Sequence, residues 1–269
     1  MPFVRAIPCL LLRRQGLVKT VKFSQPRYVG DPINTVRIFN EKEVDELVFL
    51  DITATPDGHE PQFDLVEGIS KECYMPFAYG GGLQTVEQVK RILGNGAEKA
   101  VINSAVHYRP ALITEAANLF GSQSVVVSVD VKRGWLGKLE VVVNGGRQRT
   151  GADPISYARR AVELGAGELL VTSVDRDGTF EGYDLPLISQ ICSAVSVPVV
   201  ACGGAGQLDD LRLVVTEAGA SAAAAGSLFV YQGPHRAVLI NYPDRHVLDE
   251  MFELADRASG STNDPPATR

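Results

Sequence analysis

The chain has 269 residues, 45% hydrophobic and 22% charged, with a formal net charge of -6. That length supports a large core, as one α/β barrel or two ordinary domains, and the negative balance disfavours a broad nucleic-acid surface, which needs clustered Lys and Arg. The opening apolar run is too short for a membrane span and is followed by Arg13 and Arg14 rather than a cleavage site, so a cytoplasmic protein with small-molecule or protein partners is expected.

In chain order, the apolar run IPCLLL at residues 7–12 enters the basic, glycine-containing loop RRQGLVK and carries no carboxylate at its end. Asp31 and Pro32 then start a predicted helix over 32–44, Asp as cap and Pro at the first helical position. ELVFLDI and YMPFAYG follow as buried strands. Thr85, with Glu87 behind it, opens a helix over 85–94. KAVINSA and SVVVSVD are the next two strands, and Asp153-Pro154 repeats the helix start over 153–164. GELLVTSVD, VPVVACG and SAAAAGS complete the series. Runs that are apolar throughout fit strands buried on both faces of a parallel sheet, and their alternation with amphipathic stretches reads as βα units. Beyond residue 255 the polar segment ending in STNDPPATR lacks apolar spacing, so 1–255 is read as the barrel domain and 256–269 as a disordered tail.

The two halves share one plan. Asp57-Gly58 matches Asp177-Gly178, Asp64-Leu65 matches Asp184-Leu185, and Gly81-Gly82 matches Gly203-Gly204. A doubled half-barrel, giving a single closed (β/α)8 TIM barrel with a two-fold repeat, explains this offset better than an open sheet. The opening strand and VVVSVDVKRG are then counterparts, yet the second ends on Asp130 where the first presents Leu11.

In such a barrel the reactive face lies at the strand C-termini. YGGGLQT and CGGAGQL each end a strand and precede a helix, so backbone N–H groups there can approach an anion; NSA and GSL add a hydroxyl one unit later. Two phosphate sites on opposite sides of the mouth are expected. Asp51, Asp130, Asp175 and Asp177 end or follow strands at the same rim, where a carboxylate can act as acid or base or can cap the next helix. Lys19 can reach inward from the first loop. Cys9, Cys73, Cys192 and Cys202 form no CxxC pair and read as reduced core thiols, and the histidines show no ligand spacing, so neither metal nor cofactor is expected.

FLDITA, GGGLQT, INSA, FGSQSVVVSVDVKR, GAGELLVTSVDRDGTFEGYDL, VPVVACGGAG and AAGSLF together resemble the cyclase subunit of imidazole glycerol phosphate synthase, over about residues 3–240. The resemblance implies a barrel that takes ammonia from a glutaminase subunit docked on the strand N-terminal face, in a heterodimer, and uses it on a bisphosphate ligand at the other end. It places the phosphate sites at Gly82, Asn103 and Ser104, and at Gly203, Gly204, Gly226 and Ser227. It also places a charged entrance gate at Arg5, Glu46, Lys99 and Glu168, and glutaminase contacts at Glu98 and Gln123.

The family's chemistry uses an aspartate on strand 1 and another on strand 5. Here Leu11 replaces the first. That departure, with HRAVLINYP and GLVKTVKF, is similar to a branch found with bacterial surface-polysaccharide genes, where ammonia is passed to a sugar amidotransferase that builds an acetamidino group. Two other readings stand beside it: a true cyclase–lyase in which Asp51 or Asp177 supplies the missing acid, and a bisphosphate-binding scaffold.

Overall fold

The computed structural model describes residues 4–260, with side chains as far as residue 252. Eight parallel strands close on themselves: β1 (Arg5–Arg13), β2 (Leu47–Asp51), β3 (Phe77–Gly80), β4 (Lys99–Ile102), β5 (Val125–Arg133), β6 (Glu168–Ser173), β7 (Val199–Cys202) and β8 (Ala222–Ala225). Each pairs in parallel with the next, β8 pairs with β1, and the β5–β6 pairing joins the halves. The helices around them are α1 (Pro32–Glu41), α2 (Phe63–Glu72), α3 (Val86–Gly94), α4 (Ala111–Phe120), α5 (Pro154–Glu163), α6 (Leu185–Cys192), α7 (Leu208–Thr216) and α8 (Arg245–Gly260). This is the expected (β/α)8 barrel.

The helix starts follow the residues that signalled them. The Asp31 carboxylate accepts from Asn34 N at 2.9 Å, with Pro32 in the first turn, and Asp153 repeats the arrangement with Ser156 N. Thr85 caps α3 in a reciprocal box with Gln88, so the partner is Gln88 and not Glu87. Helix α1 ends at Glu41, short of residue 44, where Glu43 turns left-handed at φ 52° and Val44 folds back into the core. Helix α8 continues past residue 255 to Gly260; Met251 and Phe252 on its earlier turns pack against the core. The rest of the expected tail lies outside the described residues.

The half-barrel repeat is visible in three dimensions. Strands β1 and β5 are both nine residues long, and each turns back in an antiparallel hairpin, β1 on Gly16–Val21, which in turn pairs with Ser24–Gly30, and β5 on Leu139–Val143. Leu11 pairs with Val18 in the first hairpin and Asp130 with Val142 in the second, so the two occupy matching places. One repeat element has drifted: Asp184 caps α6, whereas its counterpart Asp64 sits inside the first turn of α2.

Because strand side chains alternate, one set fills the bore and the other faces the helices. Ile7, Val48, Val101, Val126, Leu170 and Val200 belong to the bore, which is apolar through its middle. Phe39, Phe49, Ile69, Tyr79 and Ile92 anchor the larger core outside it. All four alanines of β8 are buried despite alanine's weak strand preference, a case of packing overriding propensity.

Candidate functional site

Below the apolar layer, at the strand N-termini, the inward positions become charged. Arg5 donates from Nη1 to Glu46 and from Nη2 to Glu168 at 2.5 Å; Lys99 Nζ donates to Glu46 Oε1 and to Glu168 Oε2, both at 2.8 Å. The four side chains therefore close a cycle of alternating sign across the floor. Glu46 and Glu168 are buried, and each satisfies both oxygens within the ring, which is how such charges tolerate loss of water. Glu98 and Gln123 lie exposed on the same face, Glu98 just before β4 and Gln123 in the turn before β5.

At the opposite end the strands and loops surround a cavity of about 680 Å³. Gly82, Asn103, Ser104, Gly203, Gly204, Gly226 and Ser227 all line it, in two groups contributed by β3–β4 and β7–β8. Gly82 is left-handed at φ 74°, and a side chain there would meet Ala54 Cβ at 2.9 Å. Gly204, at φ 116°, would place a Cβ 2.1 Å from Gly182 O. These glycines are thus required by turn geometry and close backbone packing.

Asp130 reaches the cavity from β5 and is buried. Asn103 Nδ2 donates to its Oδ2 at 3.1 Å and Ser128 Oγ to its Oδ1 at 3.3 Å, with Thr172 a further partner. Burial outweighs these donors and pushes the carboxyl up to about 7, with help from the Asp177 charge. Across the mouth, Leu11 lines the cavity on β1 and packs with Leu50 against the apolar bore.

A model of the histidine biosynthesis protein family matches residues 5–235. The chain belongs to that family. It is 48% identical to a provisionally named imidazole glycerol phosphate synthase subunit HisF of Leptospira interrogans over 92% of this chain and 98% of the relative. It is 50% identical to the provisionally named subunit hisF2 of Pseudomonas aeruginosa, over 91% and 98%. A subunit HisF of Alkaliphilus metalliredigens is 47% identical over 84% and 90%.

The remaining rim acids of this HisF-like barrel have separate surroundings. Asp51 Oδ1 accepts from Thr53 N, Thr53 Oγ1 and Ala54 N, and its Oδ2 from Gln62 Nε2 at 2.7 Å, so this carboxylate organises the turn after β2. Asp175 accepts from Arg133 N at 2.6 Å and braces the β5 hairpin. Asp177 accepts from Thr20 Oγ1 at 2.8 Å and from Phe23 N, and its carbonyl accepts from Lys22 N. Burial raises its pKa, against the Thr20 bond and the nearby Lys19. The β1 hairpin is thereby tied over the mouth, and Lys19, buried at its base, donates to Cys9 O.

Cys9 and Cys202 are buried in the bore, Cys73 and Cys192 are half-buried, and all four are free thiols. Among the described residues no group of metal-ligating side chains occurs, and no helix is long and apolar enough to cross a membrane. Reading the sequence missed three cavity-lining arginines, Arg13, Arg109 and Arg147, and the Ser128 and Thr172 partners of Asp130. Ser128 was detectable, as the polar break two residues before Asp130 in an otherwise apolar strand. Arg109 and Arg147 lie on loops with no periodic signal, and Arg13 is the last residue of β1, beyond its apolar run.

Proposed function

We propose that this barrel is the ammonia-receiving subunit of a glutamine amidotransferase complex that serves a separate acceptor enzyme at its mouth. A glutaminase of the HisH type docks at the face bearing Glu98 and Gln123 and delivers ammonia to the Arg5–Glu46–Lys99–Glu168 ring. The neutral molecule then crosses the apolar bore, where ammonium would be penalised by lost hydration. It emerges beside Leu11 and Asp130. The acceptor is a sugar amidotransferase that places an acetamidino group on a nucleotide-linked sugar for lipopolysaccharide synthesis.

Leu11 carries this reading. The charged floor and the bore are intact, while one of the two proton carriers of the family's ring closure is replaced by a side chain that holds no proton. Loss of a general acid or base costs about 10²–10⁴-fold in rate. The relative numbered hisF2 agrees with a role beside an ordinary family member. The mouth also carries exposed apolar side chains, Trp135 and Leu136 on the β5 hairpin and Tyr28 on the β1 hairpin, of the kind a docked protein covers.

The two cradles, Gly82 with Asn103 and Ser104, and Gly203, Gly204 and Gly226 with Ser227, are assigned to a phosphorylated ligand at this mouth. One observation favours the cyclase–lyase alternative: Asp177 faces the same cavity with a raised pKa and Lys19 nearby. The test is reconstitution with the glutaminase, assaying the imidazole glycerol phosphate precursor with free ammonium. Glutaminase activity that depends on the barrel, with no precursor turnover, is the expected result; robust cyclisation overturns the proposal.

A further inference from the structure

Asn144 ends the returning strand of the β5 hairpin in a left-handed conformation, φ 56°, and its side-chain Oδ1 is buried without a partner. A non-glycine residue held there is a local cost that the surroundings maintain. Its backbone supplies the reason: Asn144 N donates to Ser104 Oγ at 2.9 Å. Ser104 Oγ in turn donates to Asn103 Oδ1 at 3.2 Å, and Asn103 Nδ2 donates to Asp130 Oδ2 and to Ser128 O, both at 3.1 Å. One directional chain thus runs from the hairpin, through both side chains of the β4 cradle, to the carboxyl on β5.

The geometry points to Asn103 and Ser104 as a relay that couples anion occupancy of the β4 cradle to the proton on Asp130. This rests on the anion cradle proposed above and adds its regulation. Ser104 has one hydroxyl hydrogen. A dianion in the cradle accepts it, so the hydrogen leaves Asn103 Oδ1. The Asn103 amide is then less polarised and its Nδ2 a weaker donor to the Asp130 carboxylate, because bonds in a chain strengthen one another. Added negative charge close by acts in the same direction. Both changes favour the carboxylic acid, and by linkage the protonated acid favours the anion by the same factor. A ligand arriving phosphate-first would thereby load Asp130 with a proton before ammonia reaches it.

The other titratable groups around Asp130 do not lie on this route. Asp177 faces it from the loop after β6, Cys9 from β1 and Tyr157 from α5, with Lys19 placed between Cys9 and Asp177. The hydrogen bonds of Asp177 go to Thr20 and Phe23, away from the β4 cradle. Asp177 is therefore an internal comparator for direct electrostatic effects.

The experiment is carbon-13 NMR titration of the intact chain labelled at aspartate carboxyls, with and without sulfate, a probe that stays dianionic throughout. Sulfate binding is read independently from the Ser104 and Ala105 amides. Saturating sulfate is expected to raise the Asp130 midpoint by roughly 0.5–1 unit, a three- to tenfold gain in proton affinity, and to move Asp177 less. Ser104→Ala, saturated separately, should lose most of the Asp130 shift, and Ser104→Thr, which keeps the hydroxyl, should retain it. Binding with no Asp130 shift, or equal shifts at Asp130 and Asp177, overturns the relay while leaving the cradle. Absence of binding to the unaltered chain overturns both.

Discussion

Lys99 on β4 is bonded to Glu168 on β6 at 2.8 Å, across the floor of the barrel and past the intervening strand β5. With Glu46 and Arg5 completing the cycle, no ring carboxylate depends on a single cation. Lys99→Met should therefore cost less than the about 3–5 kcal/mol expected when a buried charge is left with no partner, because Arg5 still bridges both glutamates. The floor would nonetheless lose the side chain that closes one side of it. Urea unfolding should show a modest drop in midpoint, and reconstituted complex should hydrolyse glutamine with less ammonia captured at the mouth. Unchanged capture would mean that the ring is only structural.

Leu11→Asp restores a proton carrier at the place that matches Asp130. If this barrel is a conduit whose ring-closing chemistry has lapsed, the variant should gain precursor turnover by about 10²-fold or more, and adding Asp130→Asn should remove the gain. The new carboxylate enters a mouth already holding Asp130 and Asp177, both raised in pKa by burial. A drop in stability of about 1–3 kcal/mol is expected alongside, as for a buried polar group without full compensation. Turnover equal to that of the unaltered chain would indicate that Leu11 is not what limits cyclisation.

The Asp130 carboxyl has a definite signature in stability. Its folded pKa, about 7, lies above its ordinary value of 3.8, so the folded state holds the proton more tightly than the unfolded chain. Stability from this group is fully present below the unfolded value and is lost as pH rises from about 4 through 7, on the order of a few kcal/mol in all. Asp130→Asn carries no such titration. The difference in unfolding free energy between the two proteins should change steadily across that window and level off above it; a flat difference would show that Asp130 ionises normally.

The parts of this molecule that could be read from its sequence are those that depend on local chemistry or on repetition. Asp31-Pro32 and Asp153-Pro154 start their helices as expected, and the Gly81-Gly82 and Gly203-Gly204 pairs sit at the same rim because half the barrel is a copy of the other half. What could not be read depends on approach through space. Nothing near Asp51 in sequence announces that Gln62 will complete its hydrogen bonds, and Asn144 meets Ser104 only because a hairpin folds back over β4. Thr85 illustrates the boundary: the cap was legible, but the sequence pointed to Glu87 behind it, whereas the turn brings Gln88 back to the cap. Thr85→Ala should cost about 1 kcal/mol, measured by thermal or urea unfolding.

Trp135 is the chain's one tryptophan and, with Leu136, stands at the tip of the β5 hairpin, 98% and 91% exposed respectively. The hairpin beneath them is braced: Arg133 Nη1 donates to Gly137 O at 2.9 Å, Asp175 accepts from Arg133 N, and Arg149 pairs with Glu140. A braced support presenting bare apolar side chains to solvent contributes little to folding, so Trp135→Ala should change stability by no more than about 0.5 kcal/mol. Its emission should be that of an indole in water. Adding the acceptor enzyme should shift that emission to the blue, and Trp135→Ala should weaken the association by about 10-fold or more, as for an aromatic anchor. Glutaminase binding at the far face should leave the emission unaltered; a blue shift on adding the glutaminase alone would place the docking surfaces the other way round.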